Sequence, residues 1–103
     1  MSTDKESRAL QFLGLCMRAG QIVSGQEACV SAVRNGDAAV VLLDKDASEN
    51  TTKRISDACS SHETPLYFIT PGELGHAIGK PGRMVVALVK GSMGEKVLSY
   101  FRD

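Results

Sequence analysis

The sequence predicts an α/β fold in which a small four-stranded sheet is sandwiched between layers of helices. Segments of helical period alternate strictly with short β-rich segments along the whole chain. The β-rich segments at 40–43, 66–69 and 84–89 are unbroken apolar runs, the pattern of strands covered on both faces. Helix-start and helix-stop residues punctuate the alternation at nearly every junction.

Each element has its own justification. In the first helix Leu10, Leu13 and Met17 line one face with Phe12 and Cys16 beside it, and Gly20 supplies a left-handed stop. Residues 21–24 are long enough only for a short edge strand. A second helix repeats the spacing with Cys29, Ala32 and Val33 and stops at Gly36. After the strand at 40–43 comes a third helix on Ile55, Ala58 and Cys59. After the strand at 66–69, Leu74, Ala77 and Ile78 make a short fourth helix, closed by Gly79 with Pro81 two residues on. The strand at 84–89 leads to a last helix that faces inward through Val97, Leu98 and Phe101. A Ser, Thr or Asp followed three residues later by Glu predicts a capping box for each of the five helices. The pairs are Thr3 with Glu6, Ser24 with Glu27, Asp46 with Glu49, Thr70 with Glu73, and Ser92 with Glu95. Pro71 falls at the first helical position after Thr70.

A chain of 103 residues without repeat, low-complexity tract or linker reads as one domain spanning 1–103. Hydrophobic residues make up 43% and charged residues 23%, ordinary values for a soluble globular chain. Lys+Arg 12 balances Asp+Glu 12, which excludes binding to nucleic acid through bulk charge but leaves room for a local basic edge. With no Trp and 5% aromatics, a broad stacking platform for single strands is also excluded. Three cysteines, Cys16, Cys29 and Cys59, cannot all pair, and each lies on an apolar helix stripe. They predict buried, reduced thiols and a cytoplasmic setting. The polar stretch 1–8 lacks the apolar core of a signal peptide, and the longest apolar run, 38–43, is far too short to span a membrane.

The chain offers little to an enzyme. His62 shares a helix face with Cys59, but a metal site needs two further ligands that are not at hand. Ser24 is not set in a nucleophile elbow, and residues 79–83 fit neither a Walker loop nor a dinucleotide fingerprint. Asp44, Asp46 and Glu49 read as a turn residue, a cap and a third helical residue. No catalytic residue, metal ligand or cofactor site is therefore expected. Two features remain. At the entrance of the second helix, Gly25 allows close approach to free backbone N–H groups, where a phosphate or base edge can dock. The glycine-flanked loop at 79–83 carries Lys80 and Arg83, with no acid until Glu95.

The string LGLCMRAGQIVSG at 13–25 resembles the opening of the L7Ae/L30e ribosomal-protein family, closest to its small bacterial YlxQ-type branch. VLLDKDASENT at 41–51 is similar to the strand exit of that branch, and ELGHAIGK at 73–80 resembles the family's Leu-Gly-x-Ala-x-Gly signature. The resemblance runs colinearly from about Leu10 to Val89. It implies a three-layer α-β-α sandwich with a small four-stranded mixed sheet. It also implies binding of structured RNA, chiefly the kink-turn, an asymmetric bulge flanked by tandem sheared G·A pairs. In the family the second helix enters the widened major groove, a Gly-x-Asn-Glu-x-x-Lys segment contacts the guanines and phosphates, and the late loop covers the extruded nucleotides.

Here Gly25 matches the family glycine, while the Asn, Glu and Lys positions hold Glu27, Ala28 and Ser31. The resemblance places the RNA-binding residues at Gly25, Gln26, Glu27, Ser31, Lys80, Pro81, Gly82 and Arg83. The reading is a non-catalytic, cytoplasmic RNA-binding protein that recognises kink-turn-like or bulged RNA. Expected partners are structured RNA, ribosomal RNA among them, and a protein within a ribonucleoprotein, with the chain itself a monomer and no membrane involved. Its alternative is a protein–protein interaction module of the same fold with reduced RNA binding.

Overall fold

In the computed structural model, which describes residues 4–102, helices and strands alternate from end to end. The order is α1 (Asp4–Arg18), β1 (Ile22–Ser24), α2 (Gln26–Arg34), β2 (Ala38–Asp44), α3 (Glu49–Ser61), β3 (Leu66–Ile69), α4 (Glu73–Ala77), β4 (Val85–Val89) and α5 (Ser92–Phe101). The strands form one sheet in the order β1-β4-β2-β3. β4 runs antiparallel to both β1 and β2, and β3 lies parallel to β2, so the sheet is mixed.

Side chains on a strand point alternately to opposite faces, and this alternation builds two cores. Val40, Leu42, Val86 and Leu88 face one way, against Leu13 and Cys16 of α1, Leu74 of α4 and Val97 of α5. Val41, Leu43, Val85 and Ala87 face the other way, against Cys29 and Val33 of α2 and Ile55 and Cys59 of α3. Every residue of β2 is buried: its apolar run at 38–43, as expected of a strand covered on both faces, and with it Asp44. The result is the expected three-layer α-β-α sandwich with a four-stranded mixed sheet.

β3 departs from expectation. Its apolar run does not signify cover on both faces, because β3 is an edge strand and Phe68 is 46% exposed. Only Ile69 of this strand is fully buried.

The helix stops hold. Gly20, Gly36 and Gly79 all have φ between 71° and 76°. Each closes its helix by donating to the carbonyl three residues back while the next residue donates five back, as in Gly36 to Val33 O and Asp37 to Ala32 O. Glu63, at φ 55°, closes α3 the same way and has no counterpart in the sequence reading.

The helix starts do not hold. Thr3, the cap expected for α1, lies outside the described residues. α2, α4 and α5 begin after Gly25, Gly72 and Gly91, none with a side-chain cap, and α3 is capped by Ser48. Tertiary bonds take the expected caps elsewhere. Gly25 N–H continues the sheet by donating to Val85 O, so the chain turns one residue after Ser24. Asp46 N–H donates to the buried carboxylate of Asp44 at 2.7 Å, which holds Asp46 in a turn and delays α3 to Glu49. The other oxygen of Asp44 accepts from Gly72 N–H at 2.9 Å, so Thr70 and Pro71 belong to a turn before α4. Ser92 is the first residue of α5 rather than its cap.

Candidate nucleic-acid interface

The entrance of α2 is built around Gly25. Its φ of 97° and ψ of 151° lie in a region essentially closed to residues with a Cβ. The turn that carries the chain from the sheet edge into the helix therefore depends on glycine at this position. A Cβ there would also lie 3.2 Å from Nη1 of Arg83. That nitrogen donates to Ser24 Oγ at 3.3 Å. The two features singled out in the sequence, the α2 entrance and the 79–83 loop, thus meet at one place.

The loop is seated by Gly75. A Cβ on Gly75 would come within 2.8 Å of Lys80 O, 3.1 Å of Gly82 N and 3.3 Å of Pro81 Cα. Gly75 O in turn accepts from Lys80 N–H at 2.9 Å. The glycine of the Leu74-Gly75 motif is thus the floor on which the loop rests. Lys80, Pro81, Gly82 and Arg83 are all exposed above it.

On the other side of the entrance a polar network joins α2 to α3. Ser48 Oγ donates to Thr51 Oγ1 at 3.1 Å, and Thr51 Oγ1 donates to Gln26 Oε1 at 2.7 Å. Gln26 Nε2 donates to Glu27 Oε2 at 3.0 Å, while Arg54 Nη2 donates to Glu27 Oε1 at 2.7 Å. Both carboxylate oxygens of Glu27 therefore have a donor. The bond from Arg54, then that from Gln26, holds its carboxyl below the usual range, and the charge of Arg34 adds to the effect. Ser31 is exposed on the second turn of α2, and no bond ties it to this network.

Gly25, Gln26, Glu27, Arg83 and the loop thus surround one helix entrance, with Ser31 farther along α2. Thr51 and Arg54 were not visible as site residues in the sequence. Their partners lie 25 and 27 positions away, and only the packing of α3 on α2 joins them. His62 ends α3 exposed, while Cys59 is buried. Among the described residues no group of three or more His, Cys, Asp or Glu side chains converges on a metal-sized site, and no helix is long and apolar enough to cross a membrane.

Comparison with known proteins places this geometry in context. Residues 8–99 match the model of the ribosomal protein L7Ae/L30e/S12e/Gadd45 family. The RNA-binding protein YlxQ of Enterococcus faecium is 35% identical over 97 residues, 93% of each chain. That of Bacillus subtilis is 39% identical over 89 residues, 85% of this chain and 89% of the relative. A Bacillus halodurans protein of unknown function superimposes with a TM-score of 0.85 at 35% identity, covering 92% of this chain and 97% of its own. The 15.5kD RNA binding protein of Giardia lamblia superimposes with a TM-score of 0.77 over 96% of this chain and 86% of its own. At 21% identity that likeness speaks for the fold alone.

Proposed function

The chain belongs to the ribosomal protein L7Ae/L30e/S12e/Gadd45 family, and from that premise we propose that it is a non-catalytic RNA-binding protein that takes up kink-turn-like or bulged RNA at the entrance of α2. Two relatives carry RNA binding in their names and match nearly the whole chain. The observation that supports the location is the bond of Arg83 to Ser24 beside Gly25, which brings the loop to the helix entrance.

On this surface the roles divide by chemistry. Free N–H groups at the start of α2 donate to phosphate oxygens or to acceptors on a base edge, and Gly25 adds no side chain of its own in their way. The carboxylate of Glu27 accepts from a guanine amino or imino group. Lys80 and Arg83 meet phosphates of the distorted strand, and the planar guanidinium of Arg83 also stacks on an extruded base. Pro81 and Gly82 give the loop a low profile against that base. Ser31 stands where the family has a cation and contributes a hydroxyl alone. A balanced net charge means few phosphate contacts, hence moderate affinity and a shallow salt dependence. The single domain works as a monomer in the cytoplasm, on ribosomal or another structured RNA, with a protein neighbour in the ribonucleoprotein.

Sequencing of RNA crosslinked to the protein in cells tests the reading. Enrichment of fragments carrying bulges flanked by tandem G·A pairs is the expected result. Recovery of no RNA above background, with a protein crosslinked instead, would replace it with the interaction-module reading.

A further inference from the structure

The α2 entrance has an electrostatic gap. From Gln26 to Val33 the helix carries one charged side chain, the carboxylate of Glu27, and its first cation is Arg34 in the last turn. A phosphate drawn to the helix N-terminus would meet that carboxylate with no opposing charge from α2 nearby. The structure supplies the charge from another helix. Arg54 of α3 reaches across with Nη2 2.7 Å from Glu27 Oε1. Its side chain is 41% exposed, so the guanidinium is not sealed inside the fold. Among the described residues this guanidinium bonds Glu27 alone, which leaves most of its five N–H donors available.

An exposed ion pair contributes little to stability, and this one is poorly explained as a fold-holding device. It is better explained as a device for holding a cation in place. Thr51 fixes Gln26, Gln26 holds one oxygen of Glu27, and the other oxygen orients Arg54. The adjoining cleft between the start of α2 and α3 is lined by Gln26, Asn50, Lys53, Arg54 and Asp57. Lys53 is turned to Asp57 at 3.3 Å, so Arg54 is the cation directed at the entrance. Arg83 stands on the Gly25 side and Arg54 on the Glu27 side of the same helix start.

We propose that Arg54 is the phosphate-binding cation of the α2 entrance, carried on α3 in place of a cation at Ser31, and that Glu27 is its positioning residue. The inference rests on the reading of the α2 entrance as an RNA site. When RNA arrives, its phosphate takes the free guanidinium donors of Arg54, while Glu27 keeps the planar fork aligned.

The test is binding of a bulged RNA duplex with tandem G·A pairs, measured across a potassium chloride series. Arg54→Gln is expected to weaken binding about tenfold and to make the slope of log K against log[salt] shallower by roughly one unit. Lys53→Gln, which removes an equal charge one residue away, is expected to change the slope by less than half as much. Glu27→Gln is expected to weaken binding more in the native background than when Arg54→Gln is also present, because the carboxylate then has no guanidinium to align. Unchanged melting temperatures check that the variants are folded. Native affinity and slope in Arg54→Gln would overturn the inference, as would equal losses from Lys53→Gln. Tighter binding by Glu27→Gln in both backgrounds would overturn the positioning role. If Arg54→Gln binds normally while replacement of Lys80 and Arg83 by Ala abolishes binding, the inference fails and the reading of the entrance stands. Failure of the native protein to bind this RNA overturns both.

Discussion

Arg83 reaches from the loop before β4 to Ser24 at the end of β1, its Nη1 donating to Ser24 Oγ at 3.3 Å directly over Gly25. Residues 59 positions apart thereby close over one helix entrance. The sheet makes this possible, because β1 pairs with β4 and Ser24 lies opposite Val86. The loop that precedes β4 and the turn that follows β1 emerge at the same end of the sheet.

Gly25→Ala is expected to cost about 1–3 kcal/mol of stability, because φ 97° with ψ 151° is a conformation that a Cβ strains. The nearest atom to the added methyl is the end of the flexible Arg83 side chain, so crowding adds little. Urea unfolding checks it. A change under 0.5 kcal/mol would mean that the turn relaxes at no cost.

Glu63→Gly is expected to stabilise the protein by roughly 0.5–1 kcal/mol. Glu63 ends α3 at φ 55°, and a residue with a Cβ carries a penalty there that glycine avoids. Its side chain is exposed, so little contact is lost. A lower melting temperature in the variant would contradict this.

Asp44 is buried and ties two turns, accepting from Asp46 N–H and Gly72 N–H with separate oxygens. Asp44→Asn keeps one acceptor and sets an amide NH2 against a backbone N–H. The expected loss is about 1–3 kcal/mol. Hydrogen exchange should rise at both Asp46 and Gly72. Faster exchange at one amide only would show that the turns are held independently.

Helical period marked the helices and unbroken apolar runs marked β2, β3 and β4, because the faces that pack on the two cores must be apolar whatever else the chain does. Stops were legible because Gly20, Gly36 and Gly79 answer a local steric demand. Starts were not. Ser24 and Asp46 have the chemistry of caps, but Arg83 and Asp44 engage them from outside their own helix. The same holds for the site. Gly25 and the loop stand out along the chain, whereas Thr51 and Arg54 join the entrance through the packing of α3 on α2, which no local spacing encodes.

The three cysteines are buried and free. Burial pushes the thiol of Cys29 up to about 12 and that of Cys59 up to about 11, and it raises Cys16 as well. Cys29 Sγ also donates to Val23 O at 3.4 Å. At pH 8 a thiol reagent should label the native protein only as fast as it opens, and the unfolded chain at once. The stability consequence follows from linkage. A raised native value means that the unfolded chain loses its protons first, from about pH 8.5 upward. Stability is therefore full below that pH and falls as pH climbs toward about 12. Immediate labelling of all three native thiols would contradict their burial.

The most direct test of the account is the salt dependence of binding to a bulged RNA duplex after Lys80 and Arg83 are both replaced by Ala. Both side chains are exposed on the loop that Gly75 seats, so their removal should leave the fold intact. Loss of up to two phosphate contacts predicts weaker binding and a slope of log K against log[salt] shallower by roughly one to two units. Arg83→Lys separates charge from stacking, since Lys keeps the charge without the planar guanidinium. An affinity and slope equal to those of the native protein in the double Ala variant would remove the loop from the RNA surface and contradict the account.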